Sequence, residues 1–97
     1  MNVGACRVTL RLPENDSLKG KRQFVKSVAS RLRNKYNVSV AEVDDNDRWQ
    51  IVRLGITCVA NNERHVNEVL GSVVQFITRS RLDAELLDYE IEVLRAF

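Results

Sequence analysis

Every second residue from Cys6 to Leu12 is apolar: Cys6, Val8, Leu10 and Leu12 alternate with Arg7, Thr9 and Arg11. A period of two puts all the apolar side chains on one face of an extended chain. The segment Gly4 to Leu12 is therefore a half-buried strand, and something else in the chain must cover its apolar face. Pro13 ends it, because proline has no amide hydrogen to continue a ladder. Glu14 to Ser17 is a polar turn in which Ser17 is a good helix N-cap.

The period then changes. Leu18, Val25, Val28, Ala29, Leu32 and Tyr36 form one stripe at a 3.6-residue repeat, which predicts a helix over Leu18 to Tyr36 with Asn37 as a left-handed C-cap. Val38 to Val43 is short and β-branched and reads as a second strand. After the polar turn Asp44 to Asp47, a third strand runs from Trp49 to Ala60, with Val52, Leu54, Ile56 and Cys58 on one face and Arg53 and Thr57 on the other. Asn61 or Asn62 caps a second helix, Glu63 to Arg79, whose buried stripe is Val66, Val69, Leu70, Val73 and Ile77. Gly71 and the β-branched residues lower its intrinsic propensity, so burial must hold it. A loop, Ser80 to Glu85, leads to a last strand, Leu86 to Leu94. There Leu87, Tyr89, Ile91 and Val93 are expected to face inward and Asp88, Glu90 and Glu92 outward.

The order is β-α-β-β-α-β, the ferredoxin-like split βαβ of the α+β class. It predicts one domain over residues 1–97, with a four-stranded antiparallel sheet in the order 4-1-3-2 and both helices on one face. A chain of 97 residues suits a single core. In that arrangement strands one and four are neighbours, which sets Arg7 and Arg11 against Asp88, Glu90 and Glu92 on an open, charged face. No apolar run approaches the ~20 residues of a membrane helix, and Met1 to Pro13 lacks the apolar stretch of a signal peptide. The expected location is the cytosol. Cys6 and Cys58, the two cysteines, lie inside apolar runs and read as buried thiols. A disulfide between them would require adjacent strands and an oxidising compartment.

Charge is unevenly spread along the chain. Between Ser17 and Ala41 lie seven bases (Lys19, Lys21, Arg22, Lys26, Arg31, Arg33 and Lys35) and no acid. Glu42, Asp44, Asp45 and Asp47 follow at once. At about 100° per residue, Lys19, Arg22, Lys26 and Arg33 share one narrow sector beside the apolar stripe, with Arg31 and Lys35 on the other flank. A basic stripe attracts phosphates and releases counterions on binding. The bland reading is a solvated face, or one neutralised by the acidic turn Glu42 to Asp47. Lys19-Gly20-Lys21 at the helix start offers free amides and two lysines to a phosphate, but it lacks the glycine spacing and the hydroxyl residue of a P-loop.

Elsewhere the chemistry is sparse. Trp49 is expected to pack over a core edge; the sharper reading is an exposed platform for a base. The outward positions of the central strands hold Arg7, Thr9, Arg11, Arg53 and Thr57, none aromatic, which disfavours RNA recognition by stacking on the sheet. His65 has no neighbouring nucleophile and reads as a surface or capping residue. The acidic turn lacks the glycine and final glutamate of a calcium loop. The loop Pro13-Glu14-Asn15-Asp16 is acidic where an anion-hydrolysing site would need a cation. No catalytic group, metal site or cofactor is expected.

Three stretches, Ser17-Leu18-Lys19-Gly20-Lys21-Arg22, Asn37-Val38-Ser39-Val40-Ala41-Glu42-Val43-Asp44 and Asp47-Arg48-Trp49-Gln50, together with the basic Arg31-Leu32-Arg33-Asn34-Lys35-Tyr36, resemble the YlxP-like family of small bacterial proteins. The likeness extends over Leu54-Gly55, Asn62 to Val66 and Leu86-Leu87-Asp88. It implies a ferredoxin-like fold and a bacterial origin. Members of that family are commonly encoded beside transcription-elongation, translation-initiation and ribosome-maturation factors, which implies a role near the small ribosomal subunit. The resemblance supplies no catalytic residues. The expectation is a non-catalytic accessory factor that meets ribosomal RNA or the small subunit through Lys19, Lys21, Arg22, Lys26 and Arg33. The alternative is a protein-interaction or homodimerising module without nucleic-acid binding.

Overall fold

The structure is a computed structural model and describes residues 1–44, 47–80 and 83–97. Six elements follow one another: β1 (Asn2–Arg11), α1 (Leu18–Lys35), β2 (Ser39–Glu42), β3 (Ile51–Ala60), α2 (Glu63–Arg79) and β4 (Glu85–Arg95). The strands form one antiparallel sheet in the order β2-β3-β1-β4, the predicted order read from the other edge.

The alternation in β1 and β3 does what its period demands. Cys6, Val8 and Leu10 of β1 lie against Ile56, Leu54 and Val52 of β3, all six buried. The helices cover that face, α2 over β1, β3 and β4 and α1 over the β2 side. From α1 come Val28, Ala29 and Leu32; from α2 come Val66, Leu70, Val73, Val74 and Ile77. Val69 packs half-buried against this core as expected, and Val74, on the opposite flank of the stripe, joins the buried set. The caps read from sequence are present: Ser17 Oγ accepts the Gly20 amide at 3.0 Å and Asn62 Oδ1 accepts the His65 amide at 2.8 Å.

Element ends depart from expectation for local reasons. The first helix closes on Tyr36, whose amide bonds Leu32 at 2.8 Å. The Tyr36 carbonyl then accepts the Val38 amide at 3.0 Å, a three-residue turn that makes a left-handed Asn37 unnecessary. The third strand enters the ladder at Ile51, two residues after Trp49. In β4 the register slips between Thr9 and Leu10, so that Leu10 faces Leu86 while Thr9 faces Asp88. Leu86 thus takes the inward place predicted for Leu87, which sits in the bulge and is 49% exposed. Tyr89, opposite Val8, keeps its predicted parity, but the edge position leaves it 49% exposed.

Cys6 and Cys58 are buried free thiols. Their strands are adjacent, yet Cys6 pairs with Ile56 and Cys58 with Gly4, so the two cysteines are not cross-strand partners. Burial raises the Cys6 thiol pKa to about 11 and moves that of Cys58 in the same direction. Gly4 lies under α2, where a Cβ would run into Val66 and reach within 2.7 Å of Leu70 Cδ1.

Two outcomes follow. Gly4→Ala must lift α2 from β1 and is expected to cost roughly 1–3 kcal/mol in urea unfolding. A folded thiol pKa above its unfolded value stabilises the protein below the unfolded pKa, and that stability is lost as pH rises through the folded one. Unfolding free energy should therefore fall from about pH 9 to pH 11, and Cys6→Ala should flatten that decline.

Candidate nucleic-acid interface

The local sequence of α1 places its charges. Its first turn carries no acid, so Lys19 stands at the positive end of the helix dipole without a counter-charge on its own turn. Lys19, Arg22 and Lys26 are exposed, and among the described residues none of them meets a carboxylate within ion-pair distance. Arg33 is exposed as well, but its guanidinium donates to the Val40 carbonyl at 2.6 Å and ties the ridge to the edge strand β2. On the opposite flank, Lys35 Nζ lies 4.8 Å from the centre of the Phe76 ring and 5.9 Å from that of Tyr36. Tyr36 and Phe76 meet edge to face at 6.2 Å, and the Tyr36 hydroxyl donates to the Ser72 carbonyl at 3.3 Å.

Lys21 does not belong to the ridge and corrects the expectation. It is 1% exposed, with Nζ 3.0 Å from Glu42 Oε2 and donating to the Arg48 carbonyl at 2.7 Å. Among the described residues no hydrogen-bond donor is aligned on that Glu42 oxygen, so the charge of Lys21 is what compensates it. The sequence held the signal. At about 100° per residue Lys21 falls between Val28 and Leu32, in the middle of the apolar stripe, whereas Lys19 and Arg22 fall to one side. A lysine at that phase must either snorkel or find an acid, and Glu42 is that acid.

Two acids at the start of the acidic turn are paired away from the ridge. Glu42 is held by Lys21, and Asp44 lies 4.0 Å from Arg7 on the open sheet face. Asp45 and Asn46 lie outside the described residues. The predicted cross-strand pairing is present: Arg7 stands opposite Glu90 and donates to it at 2.9 Å. That hydrogen bond and its charge hold the guanidinium pKa above its ordinary value.

Trp49 corrects a second expectation, being 53% exposed rather than packed over the core. It precedes the ladder and is anchored through its backbone: its carbonyl accepts from Asn15 at 2.5 Å, and Asn15 also donates to the Ser17 carbonyl at 2.8 Å. The indole therefore stands at the surface near the start of α1, beside a shallow depression of about 500 Å³ lined by Arg11, Arg48, Trp49, Gln50 and Ile51. His65 is exposed, engaged through its backbone amide. Among the described residues no group of three or more His, Cys, Asp or Glu is placed to hold a metal ion, and no helix is long and apolar enough to cross a membrane.

Comparison with known proteins gives a family without an assigned activity. The model of the family described as "Protein of unknown function (DUF503)" matches residues 3–91. The "Uncharacterized protein YlxP" of Bacillus subtilis (strain 168) is 38% identical over 61 residues, which is 63% of this chain and 66% of that protein. Among solved structures, the "De novo designed protein Foldit4" superposes over 100% of both chains with a TM-score of 0.55 and 12% identity, a likeness of fold alone. The "De novo designed protein Ferredog-Diesel" covers 93% of this chain and 83% of its own at 11% identity, with a TM-score of 0.47.

The buried ion pair makes a prediction of its own. Lys21→Met leaves Glu42 partly buried and uncompensated. It should cost roughly 3 kcal/mol in chemical denaturation, the low end for such sites because Glu42 keeps some solvent contact. Adding Glu42→Leu should recover most of that loss.

Proposed function

We propose that this chain, which belongs to the DUF503 family, is a non-catalytic accessory factor that docks on RNA in the cytoplasm, with ribosomal RNA of the small subunit as the target. The observation that carries this reading is the exposed row Lys19, Arg22 and Lys26 on the outer flank of α1. No described carboxylate of the molecule lies within ion-pair distance of that row, and Glu42, the first acid after α1 in sequence, is committed to Lys21. Like charges in one helical sector repel and cost stability, a cost that a phosphate backbone laid along the helix offsets. Arg33, braced on Val40, continues the row toward the β2 edge at fixed geometry. The exposed Trp49 near the start of α1 adds an aromatic plane for an unpaired base.

Affinity for small-subunit RNA should fall steeply with salt, by roughly 0.7–0.9 in log K per log salt for each phosphate neutralised. Arg22→Glu combined with Lys26→Glu should weaken binding at least ~100-fold at low salt and lower the slope by about two. Both side chains are exposed, so the variant should unfold at the wild-type urea midpoint. Binding that is absent at low salt, or indifferent to the double change, overturns the proposal.

A further inference from the structure

The two sheet edges differ. At one end β2 is only four residues long. At the other, β4 runs for 11 residues and, among the described residues, is paired on one side only, with β1. The closing bond of that ladder, from the Ala96 amide to the Met1 carbonyl at 2.8 Å, sets its phase. In an antiparallel ladder alternate residues bond the neighbour. Asp88, Glu90, Glu92 and Leu94 therefore turn their backbone groups to β1, while Tyr89, Ile91 and Val93 turn theirs to the free edge.

The side chains of this edge form two rows. On the helix side stand Tyr89, Ile91 and Val93, half-buried or half-exposed, at the rim of the core. On the open side stand Asp88, Glu90 and Glu92, all exposed. Across the ladder Glu90 has Arg7, but Asp88 faces Thr9 and Glu92 faces Ala5, so neither has a cation opposite. Glu85, opposite Arg11, lies beyond the bulge, where the strand bends away.

From this we infer that the β4 edge accepts an extended, basic peptide as a fifth strand, one that alternates Lys or Arg with β-branched or aromatic residues. Its backbone bonds the free amides and carbonyls of Tyr89, Ile91 and Val93. Its apolar residues continue the rim of the core beside those side chains, and its cations lie against Asp88, Glu90 and Glu92. Charge selects this occupant over a second copy. Two-fold pairing of β4 with itself, in the registers centred on its acidic row, sets Asp88, Glu90 and Glu92 against one another, and like charges directly opposite are destabilising.

The test titrates the whole chain with a synthetic peptide in which Lys alternates with Val, with a scrambled peptide of the same composition and a Glu-for-Lys version as controls. Amide shifts and hydrogen exchange are followed residue by residue. The alternating peptide is expected to protect the amides of Tyr89, Ile91 and Val93 and to bind saturably, and the controls should not. Asp88→Lys with Glu92→Lys, both at exposed edge positions, should weaken binding at least ~tenfold without moving the urea midpoint. Unchanged β4 amides, equal binding of the scrambled peptide, or a dimer of the chain alone that protects these same amides would overturn the inference. The α1 variant Arg22→Glu/Lys26→Glu should bind the peptide as wild type does, which separates this surface from the RNA-facing one.

Discussion

A single buried ammonium organises both the packing and the electrostatics of this protein. Lys21 enters the core from α1 at the phase of an apolar residue, meets Glu42 at the end of β2 and binds the Arg48 carbonyl beyond it. One side chain thus ties the first helix, the short edge strand and the approach to β3. β2 is only four residues long and buries one of them, Val40, in the core, so a charge-assisted link there adds to a short apolar face. The same contact draws Glu42 partly out of solvent. The acid that follows the basic helix in sequence is spent inside the molecule, and the outer cations of α1 keep their field.

The segregation of charge extends to the sheet. Arg7 sits in the centre of the open face between Glu90 on β4 and Asp44 beyond β2. The open face is therefore internally balanced near its middle, with surplus acid only toward the β4 edge. Surplus base lies on the outer flank of α1. A molecule with a formal net charge of only +2 thus carries charge of opposite sign on two separate surfaces.

Most of the architecture was legible because two periods, 2 and 3.6, are cleanly separated along the chain. The N-cap Ser17, an asparagine N-cap for α2, the inward faces of β1 and β3, the strand order and the meeting of β1 arginines with β4 acids follow from residue pattern and topology alone, whereas the C-cap at Asn37 does not form. The misses share a physical origin in features that depend on a neighbour. A bulge displaced Leu87 because β4 has to match β1 and not its own alternation. Trp49 continues the strand in composition but lies outside the ladder, which begins where Ile51 meets Arg11 of β1. Residue type alone groups Lys21 with the basic row, whereas its helical phase sets it between Val28 and Leu32. For the candidate site, four of five basic residues are at the surface, and the fifth belongs to the interior.

The sheet order carries a kinetic consequence. β1 is the earliest strand in the chain, yet it occupies an inner position between β3 and β4, so Asn2 must find Ala60 on one side and Arg95 on the other. Both partners are distant in sequence, and closing such long loops is slow. A nascent copy would hold an aliphatic ribbon, Cys6 to Leu12, without either lateral partner until β3 and then β4 had emerged. Arg7 and Arg11 punctuate that ribbon, and Pro13 stops it. They act as gatekeepers against premature association during the interval before the sheet completes.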